Sequence, residues 1–337
     1  MTKMPEYLEL LMQGRDLTFE QARDLLDGVF QGDVPTGQIA AFLTAMHVKC
    51  AVPAELAGLA ASLRHHAVRV APGVDNLIDT CGTGGARLKT FNISTAAALV
   101  AAGAGARIAK HGNRGITSLC GSADVLTALG VNIDPGPDCV AECIRTAGIG
   151  FMFAPKYHPA MRYVQPVRKE LPFRTVFNIL GPLANPAEAS AQVMGVPDAS
   201  LMQPIAETLA RLGVQRAMVV HSDGLDEIST LGPTQILHLI AGRITPAVLD
   251  PADYDMAADF EDLRGGDAQT NAAIIRAIID GKDSGPRRDI VVLNAAAAII
   301  VAGLADDFAQ AISLAVETVA HGRAAEALER LIEISNN

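Results

Sequence analysis

Apolar residues recur at helical spacing through the first 70 residues of the chain. Thr18 and Gln21 match a capping box at the start of the first clear pattern. The apolar positions that share one helical face after it are Ala22, Leu25, Leu26 and Val29. Two more helices are predicted after the break at 32–35, one through Ile39, Phe42, Leu43 and Met46 and one that begins at Pro53. The pattern therefore predicts an N-terminal module of packed helices.

After Pro72 the pattern changes to short apolar runs that alternate with alanine-rich helical stretches. The runs lie at 77–79, 107–109, 150–153, 192–196 and 217–221. Such alternation is typical of βα units and a mostly parallel sheet, in which ligands bind at the carboxyl ends of the strands. The segment 290–304 is apolar throughout and predicts a buried helix. We expect an α/β protein with a small helical domain at 1–72 and a larger α/β domain at 73–337.

Composition excludes several classes of partner. The 337 residues carry 37 acidic and 27 basic side chains, a net charge of −10, so the protein as a whole repels nucleic acid and acidic membrane surfaces. No apolar run reaches the ~20 residues of a membrane helix. The five cysteines show no CxxC spacing, which argues against a disulfide framework and a zinc site. We expect a cytoplasmic protein without nucleic-acid or membrane partners.

Two segments predict binding of an anionic ligand. Gly82, Thr83, Gly84 and Gly85 follow the first predicted strand, and 92–95 begins a helix soon after, so that backbone N–H groups and a helix N-terminus can meet a phosphate. Lys110-His111-Gly112-Asn113-Arg114 follows the second strand and can neutralise a polyanion or bind a carboxylate. The alternatives are a flexible capped turn and a solvated basic loop.

Acidic and basic groups also follow later strands. Asp223, Asp226 and Glu227 come after the run at 217–221, and adjacent carboxylates suit Mg²⁺ that carries substrate phosphates, with an exposed acidic turn as the alternative. His221 is interpreted as structural. The basic stretch 154–186 would accommodate a second anionic group, or it is simply solvated surface.

Together these stretches resemble the anthranilate phosphoribosyltransferases over nearly the whole chain. The motifs that carry the resemblance are GTGG at 82–85, TFNIST at 90–95, KHGNR at 110–114, GSADVL at 121–126, HPAM at 158–161, PVRKEL at 166–171, RTVFNILGPLANP at 174–186 and DGLDEIS at 223–229. The resemblance implies a hinged pair of domains, the helical one completed by part of 160–190, and a homodimer through the helical domain. It also implies transfer of phosphoribose from phosphoribosyl pyrophosphate to the amine of anthranilate, with Mg²⁺, two ions per subunit.

The resemblance implies roles for individual residues. The donor-binding set is Gly82, Thr83, Gly84, Gly85, Thr90, Asn92, Ser94, Thr95, Lys110, Asn113, Thr117 and Ser118. The anthranilate set is Gly82, His111, Asn113, His158 and Arg168, and the Mg²⁺ ligands are Ser94, Asp226 and Glu227. Lys110, Asn113 and Arg168 position the reactants, Arg114 supports its loop, and no general base is assigned because an aromatic amine attacks in its neutral form.

One departure from the family pattern lies beside the donor loop. The family continues GTGG with Asp-Gly, whereas this chain has Ala86-Arg87. Arg87 either binds pyrophosphate or obstructs the loop, so a related phosphoribosyltransferase with another aromatic acceptor stays an alternative. A catalytically weakened nucleic-acid-binding relative is a second alternative, and a nucleoside phosphorylase of similar fold is a third.

Overall fold

The computed structural model describes residues 3–115 and 119–337. The α-helices in chain order are α1 (Met4–Met12), α2 (Phe19–Phe30), α3 (Thr36–Lys49), α4 (Pro53–His65), α5 (Ile93–Gly103), α6 (Ser122–Ala128), α7 (Pro137–Ala147), α8 (Ala154–Tyr157), α9 (Gln165–Glu170), α10 (Phe177–Leu183), α11 (Met202–Arg211), α12 (Ala268–Ile279), α13 (Pro286–Val301), α14 (Phe308–Ala320) and α15 (Arg323–Asn336). The strands are β1 (Leu77–Gly82), β2 (Arg107–Gly112), β3 (Ile149–Phe153), β4 (Ala191–Gly195), β5 (Arg216–Ser222), β6 (Thr234–Ile240) and β7 (Arg243–Leu249). Short 3₁₀ helices lie at Pro159–Tyr163, Ala199–Leu201, Pro251–Tyr254 and Phe260–Leu263.

The predicted helical module is present, and its local signals act as expected. The Thr18 N–H donates to Gln21 Oε1 at 2.9 Å while the Gln21 N–H donates to Thr18 Oγ1 at 3.2 Å, so the capping box starts α2. Pro53 is the first residue of α4, as predicted. The buried Glu55 carboxylate ties the module together, because it accepts from the Leu17 N–H and pairs with Lys49 Nζ, each at 2.9 Å.

A seven-stranded, mostly parallel sheet forms the centre of the larger part, as the apolar runs predict. The strand order is β3-β2-β1-β4-β5-β6-β7, parallel from β3 to β5 and antiparallel for β6 and β7. All five predicted runs fall in strands, except that Val196 lies one residue beyond β4. The β6–β7 hairpin was not predicted.

Strand order reverses beside β1, which creates a crevice for a ligand. β2 and β3 extend the sheet on one side of β1, whereas β4 and β5 extend it on the other. Gly82 at the end of β1 lies in register with Gly195 at the end of β4. Ligands of open α/β sheets bind at such a switch point, outside the carboxyl ends of the strands.

Helices cover both faces of the sheet. On one face α13 packs against α5, and the predicted buried helix at 290–304 is confirmed as α13. On the other face α11 packs against α4, and α9 and α10 contribute to the same apolar cluster as the N-terminal helices. A domain boundary at residue 72 stays a prediction. Over residues 3–115 and 119–337, no helix combines the length and apolarity that a membrane crossing requires.

Candidate active site

The glycine-rich loop after β1 is held in place by side chains from two other segments. Gly84 and Gly85 have positive φ values of 67° and 94°. The Gly84 N–H donates to Asp226 Oδ2, and Arg174 Nη2 donates to the carbonyls of Thr83 and Gly84, all at 3.0 Å. The φ of Gly85 is one that L side chains rarely adopt, and a Cβ there would also lie 1.6 Å from Arg174 Nη1, so this position favours glycine. The loop is therefore ordered rather than a free turn.

The start of α5 forms the second wall of the site. Asn92 Nδ2 donates to the Cys120 carbonyl at 3.2 Å, and Asn92 Oδ1 accepts from Asn271 Nδ2 at 2.9 Å, so its amide fixes the entry to the helix. Ser94 lies beside Glu227, and hydrogen bonding from its backbone N–H and hydroxyl opposes the rise in the pKa of that carboxyl. Thr95 Oγ1 is buried and has no partner among the described residues, which leaves it available to a ligand.

The basic motif at 110–114 begins inside β2, so the alternative of a solvated basic loop is wrong for Lys110 and His111. Lys110 is only 2% exposed, and its Nζ donates to the Thr80 carbonyl at 2.5 Å. Burial lowers the pKa of this ammonium, while the fully buried Asp79 opposes the shift. Asp79 accepts from the His111 N–H at 3.3 Å and from Asn185 Nδ2 at 2.7 Å. The sequence interpretation missed this carboxylate beneath the site.

The rest of that motif forms an exposed turn at the rim. Asn113 Oδ1 accepts from the Arg114 N–H at 2.8 Å, and Arg114 pairs with Asp124 at 2.8 Å, which is a supporting contact within the loop. Asp124 also accepts from the backbone N–H groups of Gly115 and Gly121. Thr117 and Ser118, expected to bind the donor, lie outside the described residues.

The acidic loop after β5 faces the glycine-rich loop across the crevice. Burial raises the pKa of both Asp226 and Glu227, and Asp226 helps to raise that of Glu227 to about 8. Two adjacent carboxylates that are hard to ionise together suit a cation, which would relieve their repulsion. Within the described ranges no cluster of three or more His, Cys, Asp or Glu forms a metal site. The pair plus the Ser94 hydroxyl fits Mg²⁺, which keeps waters and binds substrate phosphates.

Three of the predicted acceptor residues, His111, His158 and Arg168, are buried or half-buried. The rings of His111 and His158 lie 5.0 Å apart, centroid to centroid, and burial lowers their pKa values to about 3 and about 4. Both are therefore neutral at pH 7. Arg168 in α9 has its guanidinium carbon 5.5 Å from the Phe177 ring centroid, and burial lowers its pKa. A half-buried cation of this kind is suited to a carboxylate ligand.

These elements surround one cavity of about 370 Å³. Its lining brings together the predicted residues Gly82, Thr83, Gly84, Gly85, Thr90, Asn92, Ser94, Thr95, Lys110, His111, Asn113, Asp226 and Glu227. His158 and Arg168 do not line it. Arg174 and Asn178 do, and the sequence interpretation gave them no role beyond membership of a basic stretch.

Arg87 does not line the cavity, although its neighbours Ala86 and Leu88 do, and whether it binds or obstructs the donor stays a prediction. Its guanidinium pairs with Asp223, and both side chains are exposed. The neighbouring Leu88 N–H donates to the Gly224 carbonyl at 3.1 Å. Arg87, one of the two residues that differ from the family pattern, therefore links the glycine-rich loop to the acidic loop at the surface.

Comparisons with known proteins agree with this architecture. Residues 74–325 match the profile of the glycosyl transferase family, a/b domain, and residues 5–67 match its helical bundle domain. The anthranilate phosphoribosyltransferase of Herpetosiphon aurantiacus is 50% identical over 324 residues, which are 95% of this chain and 96% of that relative.

Solved structures give the same result. The anthranilate phosphoribosyltransferase of Thermus thermophilus superposes with a TM-score of 0.93 at 40% identity, covering 98% of this chain and 99% of that one. The enzyme of Saccharomyces cerevisiae, in complex with PRPP (phosphoribosyl pyrophosphate) and Mg, superposes with a TM-score of 0.90 at 26% identity, covering 99% of this chain and 98% of that one.

Proposed function

Since this chain belongs to the anthranilate phosphoribosyltransferases, we propose that the 370 Å³ cavity is where its two substrates meet. The enzyme transfers the 5-phosphoribosyl group of phosphoribosyl pyrophosphate to the amine of anthranilate, a step of tryptophan biosynthesis. The observation that carries the site assignment is convergence: the glycine-rich loop, the start of α5, the end of β2 and the acidic loop all line this one cavity at the switch point of the sheet.

The donor is proposed to bind along the glycine-rich loop and the start of α5. Backbone N–H groups at a helix N-terminus favour phosphate, and the unpartnered Thr95 hydroxyl lies among them. Lys110 adds a positive charge from the floor of the cavity, and Asn113 borders it at the rim. Arg174 is a further cation at the same wall.

Mg²⁺ is used by this enzyme family, as the PRPP and Mg complex of the yeast relative indicates, and we place it on Ser94, Asp226 and Glu227. Two ions per subunit are proposed. When bound, Mg²⁺ stabilises the negative charge that develops on departing pyrophosphate. Asp226 and Glu227 would hold the ion, and Lys110 would face the negative charge that develops on pyrophosphate.

Anthranilate is proposed to enter from the side of α9. Arg168 would pair with its carboxylate, and the neutral rings of His111 and His158 offer a surface without charge against its aromatic ring. Neither Lys110 nor a histidine needs to act as a general base, because an aromatic amine attacks with its free electron pair and loses a proton afterwards. Since Arg168 and His158 do not line the cavity, these two side chains would have to approach it when both substrates are bound.

We also propose a homodimer through the helical module and a cytoplasmic location. Met12 on α1 and Val48 on α3 are 74% and 77% exposed, and these two helices pack side by side. They are the two most exposed large apolar side chains of residues 3–72, and a second copy would cover them. Sedimentation velocity is expected to give the mass of a dimer.

Cys50, Cys81, Cys139 and Cys143 are free thiols, as in a reducing compartment, which supports the proposed cytoplasmic location.

The experiment that tests the site replaces the acidic pair. Asp226→Asn together with Glu227→Gln keeps the shape of both side chains but removes their charge, so Mg²⁺-dependent turnover is expected to be lost. Asp223→Asn is the matched control, because this neighbouring carboxylate is exposed and lies outside the cavity. Normal turnover in the double variant would remove the metal assignment.

A further inference from the structure

Asn294 is the polar residue within the apolar part of α13. The helix reads Ile-Val-Val-Leu-Asn-Ala-Ala-Ala-Ala from Ile290 to Ala298, and Asn294 is only 5% exposed. A buried amide destabilises a protein unless all of its polar atoms find partners. Its partners therefore indicate why asparagine stands there.

The amide of Asn294 binds both backbone polar groups of one residue. Its Oδ1 accepts from the Ile228 N–H at 2.9 Å, and its Nδ2 donates to the Ile228 carbonyl at 2.8 Å. Nδ2 also donates to the Ile290 carbonyl of its own helix at 2.8 Å. Both donors of the amide and its oxygen have partners, and the amide joins α13 to the residue that directly follows Glu227.

The peptide group between Glu227 and Ile228 is thereby held at both of its polar atoms. Its N–H donates to Asn294, while its carbonyl oxygen accepts from Ser222 Oγ at 3.0 Å. Hydrogen bonds at both atoms restrain the rotation of this peptide group, and with it the direction in which the Glu227 side chain leaves the backbone. Asn294 and Glu227 also line a second, small cavity together with Ser94.

The same helix, α13, also packs against the helix that carries Ser94, another proposed Mg²⁺ ligand. α13 packs against α5, which carries Ser94, and against β4 and β5, which flank the acidic loop. We propose that Asn294 is a positioning residue that sets the Glu227 carboxylate in the orientation required for Mg²⁺ binding. This inference rests on the proposed function, since it assumes that Glu227 is a metal ligand. Leucine has a similar volume but neither accepts nor donates a hydrogen bond, so it fills the space and removes the Asn294 partners of the Ile228 N–H and carbonyl.

The test compares Asn294→Leu with Asn132→Leu. Asn132 is exposed and does not line the cavity, and its amide also accepts and donates, since its Oδ1 accepts from the Asp134 N–H at 2.9 Å and its Nδ2 donates to the Ser335 carbonyl at 3.0 Å. Asn294→Leu is expected to raise the half-saturating Mg²⁺ concentration for turnover about tenfold, as loss of a ligand's support commonly does. The KM for anthranilate should change less than twofold, and Asn132→Leu should change neither quantity.

A binding measurement accompanies the kinetics. Free Mn²⁺, followed by electron paramagnetic resonance in the presence of phosphoribosyl pyrophosphate, should show about tenfold weaker binding to Asn294→Leu. Unchanged Mn²⁺ affinity, even with a lower melting temperature, would mean that Asn294 only stabilises the fold and would overturn the inference.

Two further variants keep the test decisive. If Asn294→Leu does not fold, Asn294→Ala removes the same three hydrogen bonds without adding a branched side chain, and unchanged Mn²⁺ affinity in that variant overturns the inference equally. The double variant at Asp226 and Glu227 separates the two levels. If it keeps Mg²⁺-dependent turnover, the metal assignment itself is wrong; if it loses turnover while Asn294→Leu binds Mn²⁺ normally, only the positioning role is wrong.

Discussion

The neutral state of the buried His158 ring should make the enzyme less stable in mild acid. Burial holds the pKa of His158 at about 4, and the side chain is 4% exposed. In the unfolded chain the same ring titrates near the usual value of about 6.5. Below about pH 6.5 the unfolded state therefore binds a proton that the folded state does not, so stability is present above that pH and is lost as the pH falls towards 4.

The size of the effect follows from the difference between the pKa of His158 in the folded and in the unfolded chain. Each pH unit between the two pKa values costs about 1.4 kcal/mol, so His158 alone should lower the free energy of unfolding by about 2 kcal/mol between pH 6.5 and pH 5. His111, with a pKa of about 3, adds a similar loss over the same interval. His158→Phe keeps a ring in this position and removes one of the two titrations.

The assay is urea unfolding at pH 8 and pH 5, at one protein concentration, followed by far-ultraviolet circular dichroism because the chain has no tryptophan. The loss of stability between these pH values should be about 2 kcal/mol smaller in His158→Phe than in the natural enzyme. The exposed His321 provides the control, and His321→Gln should leave the loss unchanged. The same pH dependence in His158→Phe and the natural enzyme, or a His158 ring resonance that titrates near pH 6.5, would refute the reasoning.

Three further substitutions test separate parts of the site. Arg168→Ala should raise the KM for anthranilate at least about tenfold with little change in the donor KM, whereas Arg162→Ala, an exposed arginine nearby, should change neither; equal effects of Arg168→Ala on both KM values would remove Arg168 from the acceptor site. Gly195→Ala should lower kcat about 100-fold, because its Cβ would lie 1.6 Å from a backbone oxygen of the acidic loop, while Gly37→Ala has open space and should have no effect. Arg87→Ala should change the free energy of unfolding by less than about 0.5 kcal/mol, as its ion pair is exposed, and a larger change would show that this pair fastens the loop.

Local signals carried most of the fold prediction. The capping box at Thr18 and the proline at Pro53 mark helix starts because the atoms that satisfy them lie within a few residues. The apolar runs found the five strands from β1 to β5 because both faces of those strands are covered by helices. The β6–β7 hairpin escaped because polar residues such as Gln235 and His238 interrupt its pattern.

The candidate site was predicted up to the point where distant segments meet. Strand ends gather at one edge of a parallel sheet, so the loops expected to converge do line one cavity. The supporting contacts were not predictable, since Asn294 reaches Ile228 across 66 positions and Asn185 reaches Asp79 across 106. An asparagine within an apolar helix was the single visible signal of the first, and nothing local marked the second.

The contact between the Gly84 N–H and the Asp226 carboxylate links two binding events. An anion that takes this N–H must displace a carboxylate already there, so association is an exchange of one acceptor for another rather than the gain of a new bond. The displaced carboxylate is then available to a cation. Anion and cation would therefore favour each other's binding, and by thermodynamic reciprocity each would strengthen the affinity for the other by the same factor.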